Sequence, residues 1–81
     1  MMTKSYSDIQ NRIAQLNQEI NAGGADISDL TDERDALIHI GGFDAEDMMT
    51  ENGAWVFLFE NFPQGSAAEG LGDKVYSWLV S

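Results

Sequence analysis

At 81 residues the chain is one small domain, and a hydrophobic content of 43% with 10% aromatic residues predicts a folded core despite a net charge of −10. The absence of cysteine excludes a disulfide framework and a thiolate metal site, and suits the cytoplasm. Only Lys4, Arg12, Arg34 and Lys74 are basic, and they are scattered, which argues against direct contact with a nucleic-acid backbone or an anionic membrane.

The amino terminus, MMTKSYSDIQ, carries one lysine and no apolar stretch behind it, so it is not expected to act as a secretory signal. Met2, Tyr6, Ile9, Ile13, Leu16 and Ile20 then recur at alternating steps of four and three, which draws one apolar stripe along a helix. Ser5 or Thr3 can cap that helix and the Gly23–Gly24 pair can end it, placing it at about residues 5–21. A second helical pattern follows in Ile27, Leu30, Arg34, Leu37, Ile38 and Ile40, entered through Asp26 or Ser28 and stopped by Gly41 and Gly42. Two helices joined by a short glycine turn form an antiparallel hairpin, with the first stripe set against Ile27, Leu30 and Leu37.

Beyond the hairpin, residues 43–51 read as a short acidic helix ended by Asn52 and Gly53. The run AWVFLF at 54–59 fits a buried strand or a buried helix by its pattern; a helix is expected, because a lone strand would find no partner elsewhere in the chain. It is also far short of the roughly 20 residues a membrane-spanning helix needs. Pro63 to Gly65 break the chain, Ser66 and Glu69 stand at capping-box spacing, and Leu71, Val75, Trp78 and Leu79 supply a last helical face weakened by Gly70 and Gly72. The predicted fold is therefore all-α and a single domain: a hairpin at about 5–40, then a short acidic helix and one or two further helices at about 43–80.

Catalytic and metal chemistry find little support in the residues. His39, the only histidine, sits near the end of the second helix, where a cation is favoured, and reads as a capping or surface group. A calcium loop begun at Asp44 would put Met48 at its fifth position and Met49 where glycine is required. GLGDK at 70–74 lacks the Walker spacing and a preceding strand, and no serine stands in a nucleophile elbow. A non-enzymatic protein without cofactor or metal is expected.

Charge distribution points to binding instead. Nine of the carboxylates lie between Asp26 and Glu51, where Arg34 is the sole basic residue. Helically spaced carboxylates on a fixed scaffold form a ladder of negative charge that can occupy a basic groove built for nucleic acid. The acidic face assigned to that role comprises Asp32, Glu33, Asp35, Asp44, Glu46, Asp47 and Glu51, with Phe43, Met48 and Met49 as an adaptable apolar rim. The expected partner is a protein with a basic groove, in a nucleic-acid-binding complex, with no membrane or direct nucleic-acid contact. In its small size, acidity, lack of cysteine and stray aromatics, the chain resembles the phage-encoded inhibitors of bacterial defence systems, among them anti-restriction DNA mimics and anti-CRISPR proteins. That resemblance implies an inhibitor acting by occupation of a site, and it transfers no residue roles.

The alternative places the working surface on apolar residues. Tyr6, Ile9, Ile13, Leu16 and Ile20 form a seam that a second copy or another helix could zip onto, giving a homodimer or an accessory helical subunit. Trp55, Phe57, Phe59, Phe62, Tyr76 and Trp78 could then fill a partner pocket, although a chain this small also needs such residues for its own core.

Overall fold

A computed structural model of the protein describes residues 2–41 and 48–81. Four helices make up these residues: α1 (Tyr6–Ala22), α2 (Ile27–Gly41), α3 (Glu51–Asn61) and α4 (Glu69–Val80). The fold is all-α, and no strand occurs among the described residues.

Helix α1 begins where its sequence allows two orphan amides to be satisfied at once. Ser5, in an extended conformation, accepts from the Asp8 backbone N–H at 3.1 Å, and the Asp8 carboxylate accepts from the Ser5 N–H at 2.9 Å. The Ser5 backbone N–H, then its hydroxyl and the charge of Lys4, hold the Asp8 carboxyl below the ordinary aspartate range. At the other end Gly23 takes φ 80° and ψ 175°, a region essentially closed to residues with a Cβ, and its N–H closes the last turn on the Ile20 carbonyl.

The chain then reverses into α2, and side-chain bonds fix the antiparallel register. Gln10 donates to the Gly41 carbonyl at 2.8 Å, while Arg34 donates to the Asn17 side chain at 3.0 Å, so the start of α1 meets the end of α2 and the reverse. Ile9, Ile13 and Leu16 of α1 are fully buried, as are Ala36, Leu37 and Ile40 of α2. Ile27 departs from its expected place against the α1 stripe: it is 40% exposed and lines an open cleft beside the glycine turn. Gly41 stands at the expected end of the second helix. It is its last residue, and a Cβ there would stand 2.9 Å from Ile9 Cγ2, so the missing side chain is what lets α2 approach α1.

The expected helix over residues 43–51 falls largely on residues 42–47, which lie outside the described residues; residues 48–50 are not helical. Asn52 and Gly53 begin a helix instead of ending one. Thr50 accepts from the Gly53 N–H at 3.1 Å and thereby caps α3, so the pair forms its first turn. The apolar run 54–59 is helical, with Ala54 and Leu58 in the core. Met49 donates to the Ile40 carbonyl at 2.9 Å, which returns the chain to the end of α2.

Helix α4 also starts differently from its expected cap. Its N-cap is Ala68, with no side-chain bond, which makes Glu69 the first helical residue rather than the third that a capping box requires. Ser66 donates to the Pro63 carbonyl, and Glu69 accepts from the Gly65 N–H at 3.2 Å. Gly72 is a packing residue: a Cβ there would lie 2.8 Å from Phe62 Cβ, so its bareness sets the approach of α4 to the end of α3. Val75 and Leu79 complete the core, and the Thr3 N–H donates to the Leu79 carbonyl at 3.0 Å, tying the amino-terminal segment to the end of α4.

Candidate functional site

The acidic residues of α2 separate by burial into two sets. Asp29, Asp32 and Asp35 are exposed, as is Asp26 in the turn before the helix. A three-residue step falls about 60° short of a full turn, so the row winds across the outer surface of α2. Asp26 and Asp29 border a cleft toward α4, whereas Asp32 and Asp35 border a groove shared with Phe57 and Asn61 of α3. His39 stands at the rim of that groove, its ring 5.2 Å from that of Phe57. Asp35 is partly offset by Arg34 at 3.1 Å.

Glu33 belongs to the other set, and its place on the acidic face is corrected by the structure. It is only 4% exposed and lies between α1, α2 and α4. Arg12 approaches its Oε2 at 2.8 Å through Nη2 and donates from Nε at 3.0 Å. Lys74 places Nζ 3.3 Å from Oε1, close enough for charge attraction but outside hydrogen-bonding geometry, so Oε1 is buried without a hydrogen bond. Leu30, Glu33, Leu37 and Ile40 follow the same three-four spacing as the α1 stripe, a spacing compatible with burial that does not by itself take a carboxylate out of solvent. Two of the chain's four basic residues thus pair with one buried carboxylate, and Lys74, itself largely exposed, also borders the cleft that Asp26 and Asp29 line.

Glu51 is half-buried in the first turn of α3, where a carboxylate meets the favourable end of the helix dipole. Asp44, Glu46, Asp47 and Phe43 lie outside the described residues. Met48 and Met49 are half-buried and pack against the core. Of the seam, Ile9, Ile13 and Leu16 are buried within the chain, Ile20 is half-buried and Tyr6 is exposed.

Of the six aromatics expected to fill a partner pocket, Trp55 and Phe59 stand on the outer face of α3, with Val56 beside them. Trp55, Val56 and Phe59 are 47%, 40% and 45% exposed, and the Trp55 and Phe59 rings stack with centroids 5.3 Å apart at 12°. The signal was the unbroken apolar run itself, since a helix that is apolar on every side can be covered fully only by neighbours all round. These two rings border a recess between α3 and α4 whose other wall carries Glu69, Asp73 and Tyr76.

Among the described residues no three histidine, aspartate or glutamate side chains converge as metal ligands, and no helix is long and apolar enough to cross a membrane. No protein-family model, curated protein or solved structure matches this chain.

Proposed function

We propose that this protein is a non-enzymatic inhibitor that occupies the basic, nucleic-acid-binding site of a cytoplasmic protein partner, as a DNA mimic or steric block of the kind found among phage anti-restriction and anti-CRISPR proteins. The observation that carries this reading is the exposed row Asp26, Asp29, Asp32 and Asp35. Its spacing gives one carboxylate per about 4.5 Å of helix axis. One strand of duplex DNA presents a phosphate per about 3.4 Å, a density of the same order. The row turns about half-way round a helix that is anchored in the core through Ala36, Leu37 and Ile40, so the charges are held in place before the partner arrives and little order has to be imposed on binding.

Support relative to an oligomer built on the α1 stripe comes from burial. Ile9, Ile13 and Leu16 already form the core of the hairpin, so a seam through them would have to open it.

The test is capture of partners from a bacterial lysate on the tagged protein, with washes at low and high salt, followed by a gel-shift assay on the recovered complex. The expected result is a nucleic-acid-binding complex released by high salt, whose binding to its nucleic acid is blocked by the protein. Replacing Asp26, Asp29 and Asp32 by asparagine is expected to slow association more than it speeds dissociation. A recovered complex that goes on binding nucleic acid in the protein's presence, or a triple variant that inhibits as well as the parent, would defeat the reading.

A further inference from the structure

The recess between α3 and α4 is bordered by the stacked pair Trp55 and Phe59 on one side and by Glu69 and Asp73 on the other, with one Glu69 oxygen already accepting from the Gly65 N–H at 3.2 Å. No lysine or arginine borders it. Its volume of about 70 Å³ is well below the roughly 300 Å³ of a small-molecule site, which limits an occupant to the head of one side chain. We propose that this recess receives an arginine side chain of the protein's partner, with the guanidinium laid on the Trp55 ring and its N–H groups directed to Asp73 and Glu69. The proposal rests on the basic partner inferred above and names one residue type by which that partner is recognised.

Arginine fits better than the alternatives on physical grounds. A guanidinium is planar and weakly hydrated, stacks on aromatic faces and offers several donors in one plane, whereas a lysine ammonium is compact and strongly hydrated. An apolar side chain would cover the rings but strip water from two carboxylates without replacing their hydrogen bonds. A second copy of this chain has no arginine to give: Arg12 is engaged by Glu33 and Gln15, and Arg34 by Asp35 and Asn17. Two copies would also bring together surfaces that are each strongly negative.

The test uses the intact protein, labelled with nitrogen-15, and three blocked pentapeptides: acetyl-Gly-Arg-Gly-Arg-Gly-amide and its lysine and leucine counterparts. The arginine peptide is expected to shift the Trp55 indole N–H and the Asp73 amide in a saturable way, to bind more tightly than the lysine peptide, and to lose about two- to fivefold in affinity when the ring is removed, the range for an exposed cation on an aromatic face. Trp55→Ala should remove that preference, and Asp73→Asn should weaken the arginine peptide while the helical circular dichroism of both variants is unchanged, since both residues are exposed. Equal binding of arginine and lysine peptides, with shifts centred on Asp29 and Asp32, would overturn the proposal in favour of unspecific charge attraction. Leucine-peptide binding at Trp55, or a dimer in sedimentation that Trp55→Ala dissolves, would overturn it by assigning the recess to an apolar segment or a second copy. The two readings fail separately: arginine-selective binding at Trp55 without inhibition of a nucleic-acid-binding partner sinks the inhibitor alone, and inhibition indifferent to Trp55→Ala sinks the arginine site alone.

Discussion

The hairpin α1–α2 and the pair α3–α4 solve the same problem with different sequence patterns. In α1 the apolar residues fall on one stripe, so Ile9, Ile13 and Leu16 can all be buried by a single neighbour and the remaining faces stay polar. In α3 apolar residues occupy consecutive positions, so burying Ala54 and Leu58 necessarily turns Trp55, Val56 and Phe59 outward. The difference teaches that apolar content alone does not mark the core of a small domain. Phase relative to the neighbouring helix decides which apolar groups stabilise the fold and which remain to meet something else.

The sharpest way to break this comparison is through the buried ion pair. Arg12→Ala leaves the Glu33 carboxylate in the interior with only the largely exposed Lys74 nearby, and is expected to cost about 3–5 kcal/mol in urea unfolding. Arg34→Ala, which removes an exposed partner of Asp35, is expected to cost less than about 1 kcal/mol in the same experiment. Equal losses from the two would show that Glu33 does not sit inside the fold.

Next in size is the contrast between apolar residues. Leu16→Ala empties a fully buried site and is expected to destabilise by about 2–5 kcal/mol. Phe59→Ala, on the open face of α3, is expected to cost less than Leu16→Ala, about 0.5–1.5 kcal/mol from the lost ring stack together with the area it covers. A large loss at Phe59 with an intact monomer would reassign that ring from the surface to the core.

Two glycines then test where the backbone itself is constrained. Gly72→Ala must push against Phe62 and is expected to lose about 1–3 kcal/mol, seen as a lower urea midpoint. Gly23→Ala meets no atom within 4 Å, so its loss, also about 1–3 kcal/mol, would come from the backbone conformation alone. Adding Phe62→Ala should recover part of the Gly72→Ala loss and none of the Gly23→Ala loss.

The smallest effect concerns pH. Because the Asp8 carboxyl titrates below the ordinary value of 3.8, its contribution to stability is complete above that value and is lost as pH falls through the lower folded-state value. Protection of the amides in the first turn of α1, taken relative to their intrinsic exchange rates at each pH, is expected to fall on acidification below about 3.8, and Asp8→Asn to flatten that dependence. An unchanged profile in the variant would mean that the Ser5–Asp8 box does not form in solution.

Local pattern was enough for α1 and its glycine stop and for the hairpin, because periodicity, caps and breakers act within a turn or two of the chain, whereas the run 54–59 fitted strand or helix by pattern and its helical state followed from the lack of a second strand to pair with. It failed where one residue type serves opposite purposes. Gly53 follows an asparagine, as at a helix end, yet Thr50 makes it part of a beginning; Ser66 and Glu69 are correctly spaced for a cap, yet each bonds within the Pro63–Gly65 turn instead. On the candidate surface the sequence located the acid but could not sort it, and it named the aromatics without saying which were exposed.

What the sequence by itself determined is thus which segments are helices and where most of the negative charge lies, both consequences of near neighbours along the chain. Only the tertiary structure decided that Glu33 is inside while Asp32 and Asp35 are outside, and that Trp55 and Phe59 share a recess with Asp73. Those facts depend on the rotational phase of each helix against another distant in sequence, and that phase is set by packing the whole core at once.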